Sequence, residues 1–428
     1  MIPNYRSSFW KTTLLALVVA ALSLILSTTL VSAGETLASR LVWILLSLPF
    51  FLLSALAALA ALGGMIGLHR DDLEWRGQPY FSHKPRERSP GWLSKLRRRT
   101  LNLRRGSQPK PRFWAGEWAR VKPFSEIAAT LDEKGCLDGL PFMPEMLRLC
   151  GSHHRIFRRA EKFRDYFSPG AGLRRLRDAV MLNDLRCSGE AHGGCQAGCQ
   201  FIWKEAWLEP VNEPAVDGTL SSTPCGSQLY EFARPEKGRY ACQMTELPRA
   251  TSPMRFFHDP RHYLRDFWCG NVRFNPFVKA VALALFNLVQ KKTGGATAPY
   301  RGAGGLQIDV SPSLNLRLGD IVRVKSKQEI EKTLKNSWNR GLWFDVEMHR
   351  FCGGEFRVAQ RVETIVGEAS GRMLTMKHPC IVLEGVSATG EYLGLYPQNE
   401  LIYWREVWLE RVSKELETAA TEINNAAR

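Results

Sequence analysis

Three catalytic signatures are missing from this 428-residue chain: the phosphate-binding Gly-x4-Gly-Lys-Ser/Thr loop, the Gly-x-Gly-x2-Gly dinucleotide fingerprint and the Gly-x-Ser-x-Gly nucleophile elbow. Without them, nothing points to an enzyme whose backbone cradles a phosphate or sharpens a serine. No two cysteines stand in the Cys-x2-Cys spacing of a standard zinc knuckle. Acidic residues are short too: 42 Asp and Glu against 58 Lys and Arg leave a net charge of +16. Charge is absent altogether from Thr12 to Ser32.

That uncharged run, and a second apolar run from Leu41 to Leu68, are each long enough to cross a ~30 Å hydrocarbon layer. They read as a transmembrane helical hairpin over residues 1–69. A signal peptide is the competing reading of the first run, since Arg6 and Lys11 precede it and Val31-Ser32-Ala33 follows. Between Arg70 and Arg112 stand 13 Lys and Arg against 4 Asp and Glu. The positive-inside rule then places the bulk of the chain on the cytoplasmic side of an inner membrane. Residues 70–113 read as a basic tether. There Lys95, Arg97, Arg98, Arg99, Arg104 and Arg105 interleave with Trp92, Leu93, Leu96, Leu101 and Leu103, a pattern for anionic lipid headgroups; nucleic acid is the less favoured partner. In a reducing cytoplasm the ten cysteines are not expected to pair as disulfides.

Beyond the tether the chain is written twice. Trp118 to Val211 recurs from Val322 to Val412, the offset drifting from 203 to 201. Gly139-Leu140-x-Phe142-x2-Glu145-Met146-x-Arg148-x-Cys150-Gly151 is matched by Gly341-Leu342-x-Phe344-x2-Glu347-Met348-x-Arg350-x-Cys352-Gly353, and Trp203-x-Glu205-x-Trp207 by Trp404-x-Glu406-x-Trp408. Each copy opens on an alternating strand and continues into a short helix with serine (Ser125, Ser326) at its N-cap. Further strands follow, with Trp203, Glu205 and Trp207 on one face of the last. The expected fold is α+β, mainly β: two tandem SH3-like barrels, residues 114–211 and 314–412. An insert at 212–313 separates them, with a buried or interfacial helix from Asn275 to Lys292 and a Gly-rich linker; a polar helical tail occupies 413–428.

Only the first copy carries Cys187-x4-His192-x2-Cys195-x3-Cys199, spaced by Gly189, Gly193, Gly194 and Gly198. Three thiols and an imidazole within so short a loop suit tetrahedral structural zinc, and the glycines let the backbone wrap an ion. An iron–sulfur centre, a redox cysteine pair and unligated cysteines remain open. The aligned positions Ala388, Leu393, Tyr396 and Glu400 exclude a second zinc site of this kind, so the second copy must close by packing. Cys150 and Cys352 read as packing cysteines, and Glu145 and Glu347 as partners of the arginines three residues on. Cys225, Cys242 and Cys269 are too widely spaced to form a motif, although any of them could replace a weak ligand.

Leu140-Pro141-Phe142-Met143-Pro144-Glu145-Met146, His192-Gly193-Gly194-Cys195-Gln196-Ala197-Gly198-Cys199 and Trp203-Lys204-Glu205-Ala206-Trp207-Leu208 resemble motifs of an uncharacterised group of bacterial proteins. The resemblance covers roughly residues 114–412, implies a bacterial origin and carries no activity. The expectation is a membrane-anchored cytoplasmic binding or scaffold protein with an unidentified protein partner and no assigned catalytic residue. Its alternative is a metal-dependent or thiol enzyme, accessory to a biosynthetic pathway, with His192 and Cys195 or Cys199 in its site.

Overall fold

The computed structural model describes residues 5–32, 52–63, 65, 112–164, 173–212, 229, 236–254, 261–294, 313–388, 390 and 399–412. The lipid-surface residues Lys95 to Arg105, most of the tether, Cys225 and the C-terminal tail lie outside them. The chain forms two compact units, residues 1–76, 274–308 and 326–352 in one, and 77–273, 309–325 and 353–428 in the other.

In the first unit the helix Tyr5–Ser32 and helical residues 52–63 pack with the insert helix Phe274–Thr293. Small residues let them approach: Ala16, Ala60 and Ala61 form an apolar cluster against Leu285, and Ser54 Oγ donates to the Ala20 carbonyl at 3.0 Å. A Cβ on Gly63 would collide with the carbonyl of Ala282. The expected transmembrane hairpin, and with it the inner-membrane location, is corrected here: among the described residues no helix is long and apolar enough to cross a membrane. The first helix turns a face of Thr12, Thr13, Ala16, Ala20 and Ser23 inward.

The same unit holds part of the second copy. Ser326 Oγ accepts from the Glu329 N–H at 3.3 Å and caps the helix Lys327–Lys332, a reciprocal cap of the expected kind. In the first copy the corresponding helix, Phe124–Ala128, is preceded by Pro123 instead, and Ser125 lies inside it.

The second unit contains two five-stranded sheets whose ten strands are numbered here: β1 Trp118–Val121, β2 His153–Arg159, β3 Ala179–Arg186, β4 Gln200–Lys204 and β5 Leu208–Val211 in the first copy; β6 Ile321–Val324, β7 Glu355–Val366, β8 Met373–Ser387, β9 Leu401–Trp404 and β10 Leu409–Arg411 in the second. The orders are β4-β3-β2-β1-β5 and β9-β8-β7-β6-β10. Bulges recur at equivalent places, Ile156/Arg158 and Val358/Gln360, then Met181/Arg186 and Val382/Ser387; they bend each sheet. The expected SH3-like barrels of a mainly β chain are corrected to half-barrel sheets in a mixed α/β chain: among the described residues the outer strands β4 and β5, and β9 and β10, do not pair. The Trp-x-Glu-x-Trp segment is not one strand either. It leaves β4, turns through the 3-10 helix Glu205–Trp207 and enters β5, as Glu406–Trp408 does before β10. This turn buries both tryptophans of each copy completely, with the Trp207 indole N–H donating to Thr130 Oγ1 at 3.1 Å.

The turn glutamates organise each copy. Glu205 Oε2 accepts the N–H of Arg112 at 3.0 Å, while its other oxygen pairs with Arg159. Glu406 Oε2 accepts the N–H of Leu314 at 3.0 Å, and Oε1 pairs with Arg361 at 2.7 Å. The two networks differ in depth. Arg159 and Glu205 expose 2% and 5% of their side chains, Arg361 and Glu406 32% and 14%. Removing one partner of a buried pair strands the other's charge. Arg159→Leu is therefore expected to cost about 3–5 kcal/mol, and Arg361→Leu no more than ~1 kcal/mol. Urea unfolding of both variants checks this; equal losses would mean that burial does not separate the networks.

Candidate metal centre

The cysteine loop connects β3 to β4. Its ends are tied by the N–H of Cys187 donating to the carbonyl of Cys199 at 2.8 Å, and the second copy keeps the same bond, Ala388 N–H to Glu400 O, also at 2.8 Å. The backbone closure is thus repeated while the donor side chains are not. Gly189 has a φ of 77°, and a Cβ there would strike the Cys195 carbonyl oxygen. That clash-free turn lets the chain coil into the 3-10 helix Glu190–His192, which carries the imidazole inward.

His192 and Cys187 meet as the sequence suggested, but their companion is Glu145, from the 3-10 helix Pro144–Leu149. Cys187 Sγ lies 3.7 Å from His192 Nε2 and 3.8 Å from Glu145 Oε1, and Glu145 Oε1 lies 3.7 Å from His192 Nδ1. One ligand atom from each falls within 4.8 Å of the other two, so this cluster could hold a metal ion. Glu145 Oε2 and His192 Nδ1 are buried with no hydrogen-bond partner. An orphaned buried oxygen and nitrogen are costly unless something binds them. Glu145 does not pair with Arg148, whose guanidinium meets Glu190; in the second copy Glu347 does pair with Arg350.

Cys195 and Cys199 do not join that trio. With Cys187, His192 and Cys242 they line an adjoining cavity of about 250 Å³, whose far wall comes from the second copy, including Val366, Glu368, Leu401 and Tyr403. The loop is docked there: the Gln196 N–H donates to the Thr364 carbonyl at 3.0 Å, Gln196 Oε1 accepts from the N–H groups of Glu363 and Thr364, and the Val366 N–H points at Cys195 Sγ at 3.2 Å. Cys242 stands at the head of the insert helix Gln243–Ala250. Gln243 fixes that helix, donating to the Ile202 carbonyl at 2.8 Å and accepting the Ile202 N–H at 2.9 Å.

Burial governs the protonation of these groups. It pushes the Cys187 thiol well above the usual range, helped by the Glu145 charge, and raises Cys199 and Cys242 likewise. Burial also lowers the His192 imidazole, against a smaller opposing pull from Glu145. Neutral thiols are poor nucleophiles, while a neutral imidazole offers a lone pair to a metal. Cys150 is pushed up to about 11 by burial alone, in keeping with packing in the first-copy core.

Sequence reasoning missed Glu145, whose repeated Glu-x2-Arg spacing pointed to an ion pair, and left Cys242 as one of three distant cysteines that could replace a weak ligand. No family model matches the chain, and no curated protein matches it. The fold and cavity define a tandem half-barrel protein with a cysteine-lined site at the junction of its copies.

Glu368 yields a pH prediction. Burial pushes its carboxyl up from 4.5 to about 7, so the folded chain holds this proton more tightly than the unfolded chain. The sign follows: stability is fully present below about pH 4.5 and declines as the pH rises to about 7. Allowing for water at its half-buried side chain, the loss is up to ~2 kcal/mol. Glu368→Gln is expected to remove this slope, stabilising the chain at pH 8 and leaving it unchanged at pH 4. Urea unfolding of chelator-treated protein reads it; a slope that survives would belong to another group.

Proposed function

We propose that the chain is a binding or scaffold protein whose two copies are clamped together by a metal-ordered loop. The observation that carries this reading is the double engagement of residues 187–199. One side of the loop presents Cys187 and His192 to Glu145, and the other hydrogen-bonds through Cys195 and Gln196 to β7 of the second copy. Taken alone, the trio's sulfur, nitrogen and oxygen donors are of the kinds that bind zinc, and a structural ion there takes its fourth ligand from outside the trio. Metal affinity of a structural site amounts to an apparent ~10–16 kcal/mol, comparable with the whole stability of a domain at ~5–15 kcal/mol. Ordering the loop would therefore decide whether the copies hold together.

A thiol enzyme is the weaker reading, since burial disfavours the thiolate at Cys187, Cys199 and Cys242 unless a metal binds it. The test is elemental analysis of the purified full chain with thermal unfolding before and after chelation. Bound metal and a clear fall in Tm on its removal are expected, and His192→Ala should bring the untreated Tm toward the chelated value. A metal-free chain whose Tm ignores both added zinc and chelator would end the proposal.

A further inference from the structure

The trio uses one of the four thiols that line the cavity. Cys195 and Cys199 come from the rest of the loop, and Cys242 enters from the insert. A single zinc ion bound by four thiolates at ~2.3 Å would draw its sulfurs to within about 3.8 Å of one another. The thiols are more widely set: among the described residues, the group of possible ligand atoms lying within 4.8 Å of one another is Glu145, Cys187 and His192, with no second cysteine in it. The space among them is also large, since about 250 Å³ far exceeds the ~30 Å³ share of one water molecule. Four cysteines that line one roomy cavity without gathering about a single point suit a polynuclear centre.

We infer that Cys187, Cys195, Cys199 and Cys242 are the thiolate ligands of an iron–sulfur cluster, in place of the single ion that the trio alone suggests. This rests on the reading that the cavity holds a metal, and names its occupant.

The surroundings suit such a group. Cluster-bearing sites combine four cysteine ligands with backbone N–H groups directed at sulfur and an apolar shell. Here the Val366 N–H meets Cys195 Sγ at 3.2 Å, and Met143, Met181, Met244, Phe163 and Phe201 line the same cavity. Gly198, at a φ of 59°, lies against Leu401, where a Cβ would meet the leucine side chain, so glycine eases the close approach at that turn. His192 and Glu145 become positioning residues that hold Cys187. Because Cys195 contacts β7 and Cys242 heads the insert helix, the cluster would join the first copy, the insert and the second-copy sheet at one point.

The full chain should be purified without oxygen, and a second portion reconstituted with ferric iron, sulfide and a thiol reductant. Iron and acid-labile sulfide in equal amounts, about four of each per chain for a cubane, are expected, with broad visible absorption that bleaches on reduction. Cys242→Ser should lose most of the iron and the absorption, whereas Cys352→Ser, which alters a thiol outside the cavity, should keep both. Circular dichroism of the Cys242→Ser chain distinguishes ligand loss from misfolding; should it misfold, Cys242→Ala and Cys199→Ser repeat the measurement. One zinc per chain with no iron or sulfide after reconstitution would overturn the cluster and leave the metal reading standing. A chain that takes up neither metal would overturn both. A cluster retained in full by a folded Cys242→Ser chain would overturn the ligand set.

Discussion

An open sheet leaves rows of backbone N–H and C=O groups along its outer strands, and something must cover them. Much of the second unit follows from that need. The free edge of β4 is met by the side-chain amide of Gln243, which exchanges both hydrogen bonds with Ile202 as a neighbouring strand would. Strand β7 outruns the short β6, and its uncovered end is met by the backbone and amide of Gln196. One contact brings in the insert and Cys242. The other brings the cysteine loop against the second copy. The cavity is what these two edge-covering contacts enclose.

The copies then diverge by what fills the space between them. Both keep the bulges, the buried tryptophan turn, the arginine–glutamate pair and the bond that closes the β3–β4 or β8–β9 connection. These are requirements of the bent sheet itself. The donors Cys187, His192 and Glu145 are not such requirements, and the second copy does without them: Glu347 is neutralised by Arg350 instead. In the first copy Arg148 goes to Glu190 on the surface, leaving the Glu145 carboxylate turned inward.

Parts of this were legible in the chain. The repeated Trp-x-Glu-x-Trp blocks marked the segments that bury each core, and the Cys-x4-His spacing brought Cys187 and His192 together as expected. The same blocks misled on conformation, since alternation looks alike in a continuous strand and in a strand broken by a 3-10 turn. Glu145 illustrates a different limit. Two identical Glu-x2-Arg spacings give opposite pairings, because a 3-10 turn allows the arginine to fold back or to reach a neighbouring loop. Membrane spans were inferred from apolar runs, but an apolar run does not reveal which of its residues become continuous helix or pack against another helix.

By itself the sequence determined the duplication, the apolar residues that each bent sheet must bury, and the confinement of the Cys/His loop to one copy, because these depend on residue type and short-range spacing. Only the tertiary structure decided that the sheets stay open, that Glu145 faces the loop and that Cys242 reaches the cavity from the insert. Those outcomes depend on which strand edges remain unpaired and which distant side chains satisfy them, and contacts between residues 40 to 170 positions apart leave no period in the chain.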